Sequence, residues 1–152
     1  MSSDELTPKQ QAIVGKWLLD RAENFDEYMK GIGINAIKRA IGNRIKPTVV
    51  ISRGGSCPQL QLWKVSVKST FKNEDWEFGI GERTKRNTID GRCFLTTVTW
   101  DGDVLVEKQE VCNEDPNAVP STIRRSVNDD GELVAECLVG DVVAKRFFKR
   151  VD

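Results

Sequence analysis

The 152-residue chain predicts an all-β fold, an up-and-down antiparallel barrel with one helical pair near its front. Three observations carry this reading. From Thr48 onward, short apolar or alternating runs follow one another at a spacing of roughly 8–12 residues, the pattern of a sandwich or barrel. Asp-Gly pairs at Asp90-Gly91, Asp101-Gly102 and Asp130-Gly131 punctuate the runs, and Asp-Gly is a strong turn signal between strands. Helical periodicity is confined to the residues before Pro47, and a strand meander with a single helical pair favours an up-and-down barrel.

The elements follow in order. "MSSDELTPKQQ" is polar and lacks the apolar centre of a signal peptide, so residues 1–12 read as an N-terminal extension of one domain covering residues 1–152. "TPKQQAIVG" predicts a short helix, with Thr7 as cap and Pro8 at the first helical position. "KWLLD" predicts a short strand. Phe25, Tyr28, Met29 and Ile32 then fall at helical spacing, as do Ile34, Ile37 and Ile41, with Gly31 and Gly33 between them; the spacing predicts two short helices joined by a turn and ending before Pro47. "TVVIS", "LQLWKVSV", "DWEFGIG", the weaker "RTKRNT", "RCFLTTVTW", "VLVEKQEV", "STIRRSV", "ELVAECLV" and "VVAKRFF" predict strands, about ten in all with the one at Trp17.

Lys plus Arg and Asp plus Glu number 23 each, so net charge is zero. Bulk electrostatic binding of nucleic acid is therefore not expected. No run approaches transmembrane length. The chain has no histidine, which removes the commonest general base and zinc ligand and excludes a Ser-His-Asp or Cys-His mechanism within this chain. Carboxylate or lysine chemistry stays open on that ground. Cys57, Cys93, Cys112 and Cys137 form no CxxC pair, and free thiols are the default. Neither a metal nor a cofactor is expected.

"GKWLLDRAENFDEYMKGIGI" resembles the N-terminal signature of the intracellular lipid-binding proteins, the fatty-acid-binding and cellular retinoid-binding family, at Gly15, Trp17, Leu19, Asn24, Phe25, Asp26, Tyr28 and Met29. "IKPTVVI", "STFKN", "TIDGR", "VTWDGD" and "AKRFF" are similar to the same family in the same order, so the resemblance covers Ile13 to Val151. It implies a ten-stranded antiparallel barrel of the calycin type, capped by a helix-turn-helix lid. Its interior would hold one or two long-chain hydrophobic ligands, commonly carboxylates, and the protein would not be an enzyme.

The resemblance also implies two arginines facing the cavity from the last strands. Alternation puts Val142, Ala144, Arg146 and Phe148 on one face of the last strand, and Arg146 matches one of the two positions. Arg125 matches the other; a one-residue ambiguity with Arg124 stays open because "NDDGEL" carries an extra residue. A structural arginine bonded to backbone carbonyls and water is the other reading of each. Phe148 stands where the family has a tyrosine, so a hydroxyl is missing beside the head group and alcohols, amides or esters become more plausible. Gln109 is expected at the head-group end, and Ile123 shares the face of Arg125. Small Ala135 and Cys137 fit either a roomy cavity or tight packing.

The rim implied by the resemblance consists of Ala36, Phe71 and Thr84 to Ile89, with Phe71 the remaining apolar gate. Together with Tyr28 and Arg92 these complete the expected ligand contacts: Arg146, Arg125, Phe148, Gln109, Arg92, Ile123, Phe71, Ala36, Thr84 and Tyr28. Lys30, Lys38, Arg39, Arg44, Lys72, Lys85, Arg86 and Arg92 make this end basic, which fits transient contact with anionic membranes, a nuclear-entry patch (Lys30, Lys38, Arg39), or simply a solvated face. Two segments look inserted, "SCPQL" (56–60) and "NEDPNAVP" (113–120). Cys57 and Cys112 are expected at opposite ends and unlinked. The expected function is cytoplasmic binding and transport of long-chain fatty acids or similar carboxylates by a monomer. The alternative is a carrier delivering ligand to a nuclear receptor.

Overall fold

The computed structural model describes residues 6–54, 62–87, 92–113, 115 and 118–151. Helix α1 is Pro8–Gln11, β1 Gly15–Glu23, α2 Phe25–Gly31 and α3 Ala36–Arg44. Nine further strands follow: β2 Thr48–Arg53, β3 Trp63–Lys68, β4 Asn73–Phe78, β5 Arg83–Asn87, β6 Cys93–Asp101, β7 Val104–Val111, β8 Ser121–Val127, β9 Leu133–Val139 and β10 Val142–Val151. They form one antiparallel sheet in the order β4-β3-β2-β1-β10-β9-β8-β7-β6-β5. The sheet curls into a nearly closed barrel whose edges, β4 and β5, are bridged by side chains: Arg86 of β5 reaches Glu74 of β4 at 2.8 Å.

Every expected element forms. The main difference is β1, which runs on past Asp20 to Glu23. β10 supplies a partner for it, with Ala22 opposite Arg146 and Glu23 opposite Lys145, and the register shift between Leu19 and Arg21 bulges Asp20 out of the ladder. The segment 56–60, Cys57, Ile89 and the Asp90-Gly91 turn lie outside the described residues, as does part of 113–120.

Strand alternation sends one face of each strand inward. Trp17, Ile51, Leu105, Leu133 and Phe148 belong to a large core cluster, and Tyr28, Ile32, Cys137, Val139 and Ala144 to a second one beneath the lid. At the far end Trp17 donates its indole N–H to Ile13 O (2.9 Å), and Arg150 covers its ring while donating to Ala12 O and Val14 O. The lid is seated by two close approaches. A Cβ on Gly31 would stand 2.7 Å from Val139 Cγ1, and one on Gly42 would stand 2.8 Å from Met29 Sδ, so glycine lets α2 settle on β9 and α3 on α2. Asn24, in the left-handed region at φ 61°, enters α2 and donates to Val143 O; asparagine tolerates that conformation better than most residues.

Candidate functional site

Two adjacent strands, β7 and β8, and β10 beyond the intervening β9 bring polar groups into the barrel. β7 turns Leu105, Glu107 and Gln109 inward, β8 turns Ser121, Ile123 and Arg125 inward, and β10 turns Ala144, Arg146 and Phe148 inward. Glu107 is 1% exposed and is the centre of a network. It accepts from Arg125 Nη1 at 2.8 Å, Arg86 Nη1 at 3.2 Å and Gln109 Nε2 at 2.7 Å. Burial pushes its carboxyl up, but the charges of Arg125 and Arg86 and the bonds from Gln109 and Arg125 outweigh that and hold it below the usual glutamate value.

The network continues to the lid. Ser121 Oγ donates to Gln109 Oε1 at 3.2 Å, so Ser121 accepts from the Tyr28 hydroxyl at 2.9 Å. Each hydrogen bond from Tyr28 to Glu107 therefore points toward the carboxylate, as an ionised acceptor requires. Burial is the main cause that pushes the Tyr28 phenol up to about 12.

Arg146 makes none of these bonds. Its Nε is buried without a hydrogen-bond partner, as are Arg86 Nε and Thr96 Oγ1. Its guanidinium lies 4.2 Å from the ring centre of Phe25, on α2 of the lid, and 5.5 Å from that of Phe148. Burial lowers its proton affinity, and nearby Arg125 adds to this. Aromatic faces attract a cation but leave its N–H groups unsatisfied. Arg86, Arg125 and Arg146 carry three positive charges against two negative charges on Glu74 and Glu107, which leaves one positive charge in this group.

The expected residues fall in three places. Arg146, Arg125, Phe148, Gln109, Ile123 and Tyr28 gather inside the barrel and beneath the lid. Of the two adjacent arginines Arg125 points in, while Arg124 points out to Asp101 at 2.9 Å. Thr84 sits on the inward face of β5 together with Arg86, and the Arg92 guanidinium lies over Phe94. Ala36 and the half-exposed Phe71 line a solvent-open groove of about 700 Å³ between α3 and the β3–β4 turn, with Ile37, Ala40, Ile41 and Arg44. Two expectations for the basic face are corrected. Arg86 belongs to the interior, drawn in by Glu107 and Glu74 and by the Trp76 ring at 4.1 Å. Arg39 is not a bare surface cation: it pairs with Asp26 at 3.2 Å and donates to Ile34 O at 2.8 Å, which offsets part of its charge in the basic face.

Sequence reasoning passed over Glu107, Ser121 and Glu74, and set Arg86 on the rim rather than inside. For Glu107 a signal existed: in "VLVEKQEV", Leu105, Glu107 and Gln109 alternate onto one face, which sets an acid among inward positions. Arg86 and Glu74 carried none, because only closure of the sheet brings β5 beside β4.

A ten-stranded, lid-capped barrel with an arginine, a tyrosine and a glutamine facing inward defines a class, the lipid-binding β-barrels. The comparisons narrow it. No protein-family model matches the chain. The chain is 43% identical over 120 residues to a liver fatty acid-binding protein of Lethenteron camtschaticum, covering 79% of this chain and 96% of that one. It is 35% identical over 140 residues to the sodium/calcium exchanger regulatory protein 1 of Doryteuthis pealeii, covering 92% and 97%. A Schistosoma mansoni fatty acid binding protein solved with arachidonic acid superposes with a TM-score of 0.81 at 31% identity, over 95% of this chain and 99% of that one. The chain belongs to the fatty-acid-binding protein family, within the intracellular lipid-binding proteins.

Proposed function

We propose that this protein binds a long-chain fatty acid inside the barrel and carries it through the cytoplasm, with the ligand carboxylate seated on Arg146. The observation that carries this is the buried, unpartnered Arg146 Nε in a group with one positive charge in excess. The Schistosoma relative, solved with arachidonic acid, supports the ligand class. A carboxylate offers Arg146 two parallel acceptors and neutralises it, which two aromatic faces do not.

The head group is not expected to be shared evenly between two arginines, because Arg125 already has its carboxylate in Glu107. The tail contributes most of the affinity, about 0.8 kcal/mol per buried methylene, before the losses on association. Transport, rather than delivery to a nuclear receptor, is the reading that family membership favours. Exchange with anionic membranes belongs to the same proposal: the groove presents Ile37 (77% exposed) and Phe71 beside exposed Lys30, Lys38 and Arg44.

The test replaces Arg146 by Leu in delipidated protein and measures affinity for a fatty acid and for the alcohol of equal length. Loss of charge-assisted bonds worth roughly 1.5–3 kcal/mol should weaken the acid about 10–100-fold. The alcohol should change little. Equal weakening of both would place the head group elsewhere.

A further inference from the structure

Two buried thiols stand apart from the ligand network. Cys93 opens β6 and Cys112 follows β7. Phe94 pairs with Val111 in that antiparallel ladder, so the next rung sets Cys93 opposite Cys112. The two Sγ atoms are 2.8 Å apart, and Cys112 Sγ also lies 3.3 Å from Cys93 O. Both residues are buried, 7% and 3% exposed. Directly opposed residues of an antiparallel pair have Cα atoms about 4.5–5.5 Å apart, inside the range a disulfide accepts. Such a spacing suits a cross-strand disulfide.

The position matters. β7 ends at the lid end of the barrel, where Ser121 and Tyr28 meet. Asp115, three residues beyond Cys112, accepts from Cys93 N at 3.2 Å through Oδ2. The start of β6 and the segment after β7 are thus already held together at this rim.

We propose that Cys93 and Cys112 form a redox-modification site that hydrogen peroxide oxidises to an intramolecular disulfide. One thiolate attacks the peroxide O–O bond; the sulfur becomes a sulfenic acid, and the other oxygen leaves as water after taking a proton. The second thiol then attacks that sulfur, forming the S–S bond and releasing the sulfenic oxygen as a second water. Two thiols and one peroxide give one disulfide and two waters, and the two electrons come from the sulfur pair. The third described cysteine, Cys137, is an internal control. It faces the barrel interior on β9, where its Sγ meets Ala135 O at 3.8 Å rather than a second thiol, and burial pushes its thiol up to about 11.

The inference is independent of the ligand reading and is tested on the full-length chain. Protein is treated with hydrogen peroxide, alkylated without reductant, digested and mapped by mass spectrometry. The expected result is a Cys93–Cys112 linked peptide, lighter by two hydrogens and released by dithiothreitol, with Cys137 recovered as the alkylated thiol. The oxidised protein should also melt several degrees higher, since the cross-link shortens the unfolded chain. In Cys93→Ser and Cys112→Ser proteins the linked peptide should be absent, and in the variant that keeps the attacking thiol that residue should stop at the sulfenic acid and be trapped by dimedone. Recovery of both thiols alkylated after peroxide, or linkage of either to another cysteine in the wild-type protein, would overturn the proposal. Wild-type mapping alone decides this, so a poorly folding variant would not obscure the answer.

Discussion

Glu107→Gln is the most informative single change. It keeps the side-chain shape and removes the charge on which Arg125, Arg86 and Gln109 converge at 2.8, 3.2 and 2.7 Å. A carboxylate accepts from all three. An amide has one acceptor oxygen, and its own NH2 must then confront at least one donor. Removing one member of a buried charge group costs about 3–5 kcal/mol, and at about 2–4 °C per kcal/mol for a domain of this size the melting temperature should fall by about 6–20 °C. The same change raises the excess positive charge of the group from one to two. A fatty acid should therefore stabilise the variant more than the wild type, and more than the matched alcohol does. Ligand at a hundred times its dissociation constant contributes about 2.7 kcal/mol, enough to offset much of the loss. Scanning calorimetry of delipidated protein, alone and with acid or alcohol, reads both effects. A variant melting within about 2 °C of wild type, or rescued equally by acid and alcohol, would refute the assignment of Glu107 as the anion that holds Arg125 and Arg86. The acid limb of stability gives a second readout. The folded Glu107 carboxyl lies below its ordinary value of 4.5, so the unfolded chain takes up the proton first as pH falls. The associated stability is complete above about 4.5, is lost as pH falls toward the folded value, and should be missing from the variant.

Tyr28 is the sole tyrosine of the chain, so ultraviolet titration reads it directly; its midpoint should lie near 12, and its share of stability, present below the ordinary phenol value, should fall as pH rises from about 10 toward 12. A midpoint at the ordinary value would mean the phenol is not buried beneath the lid. Phe148→Tyr restores a hydroxyl near Arg146 and should tighten fatty-acid binding about 2–10-fold, the worth of one hydrogen bond, as measured by displacement of a fluorescent acid; weaker binding would show the position has no room for it. Gly31→Ala brings a methyl against Val139, 2.7 Å from Cγ1, and should cost about 1–3 kcal/mol as overpacking, seen as a lower urea midpoint together with faster proteolysis of the lid helices.

The strand order could be read from the sequence because local turn chemistry and spacing carried it. Asp101-Gly102 and Asp130-Gly131 sit at real turns, and alternation correctly placed Arg146 and Phe148 on one face of β10. The polar set inside the barrel was legible only where a residue's surroundings lie on its own strand or the next. Arg125 was found, but not that Glu107 engages it, because that contact depends on the β7–β8 register, with Leu105 opposite Arg125. Arg86 was misplaced on the surface because its partner Glu74 lies on the strand at the opposite edge of the sheet. Arg39 was counted as a surface cation because Asp26, thirteen residues earlier, becomes its neighbour only when α2 and α3 fold back on each other.

The seam between β4 and β5 bears on how the molecule treats its own copies. An unpaired strand edge is a template on which another chain can add, and natural proteins protect such edges with charge. Here the two edges differ in sign. β4 carries Glu74, Asp75 and Glu77, and β5 carries Arg83, Lys85 and Arg86. Within one barrel they attract, and Arg86 spans the gap. Between two molecules, edge meeting like edge sets acid against acid or base against base. Growth by like-to-like edge addition is therefore resisted by the same charges that draw the seam together. Salt weakens this protection, since exposed charges are screened beyond about 8 Å at physiological ionic strength and beyond about 3 Å at 1 M. For this barrel, high salt is the condition under which like-to-like edge aggregation should first appear.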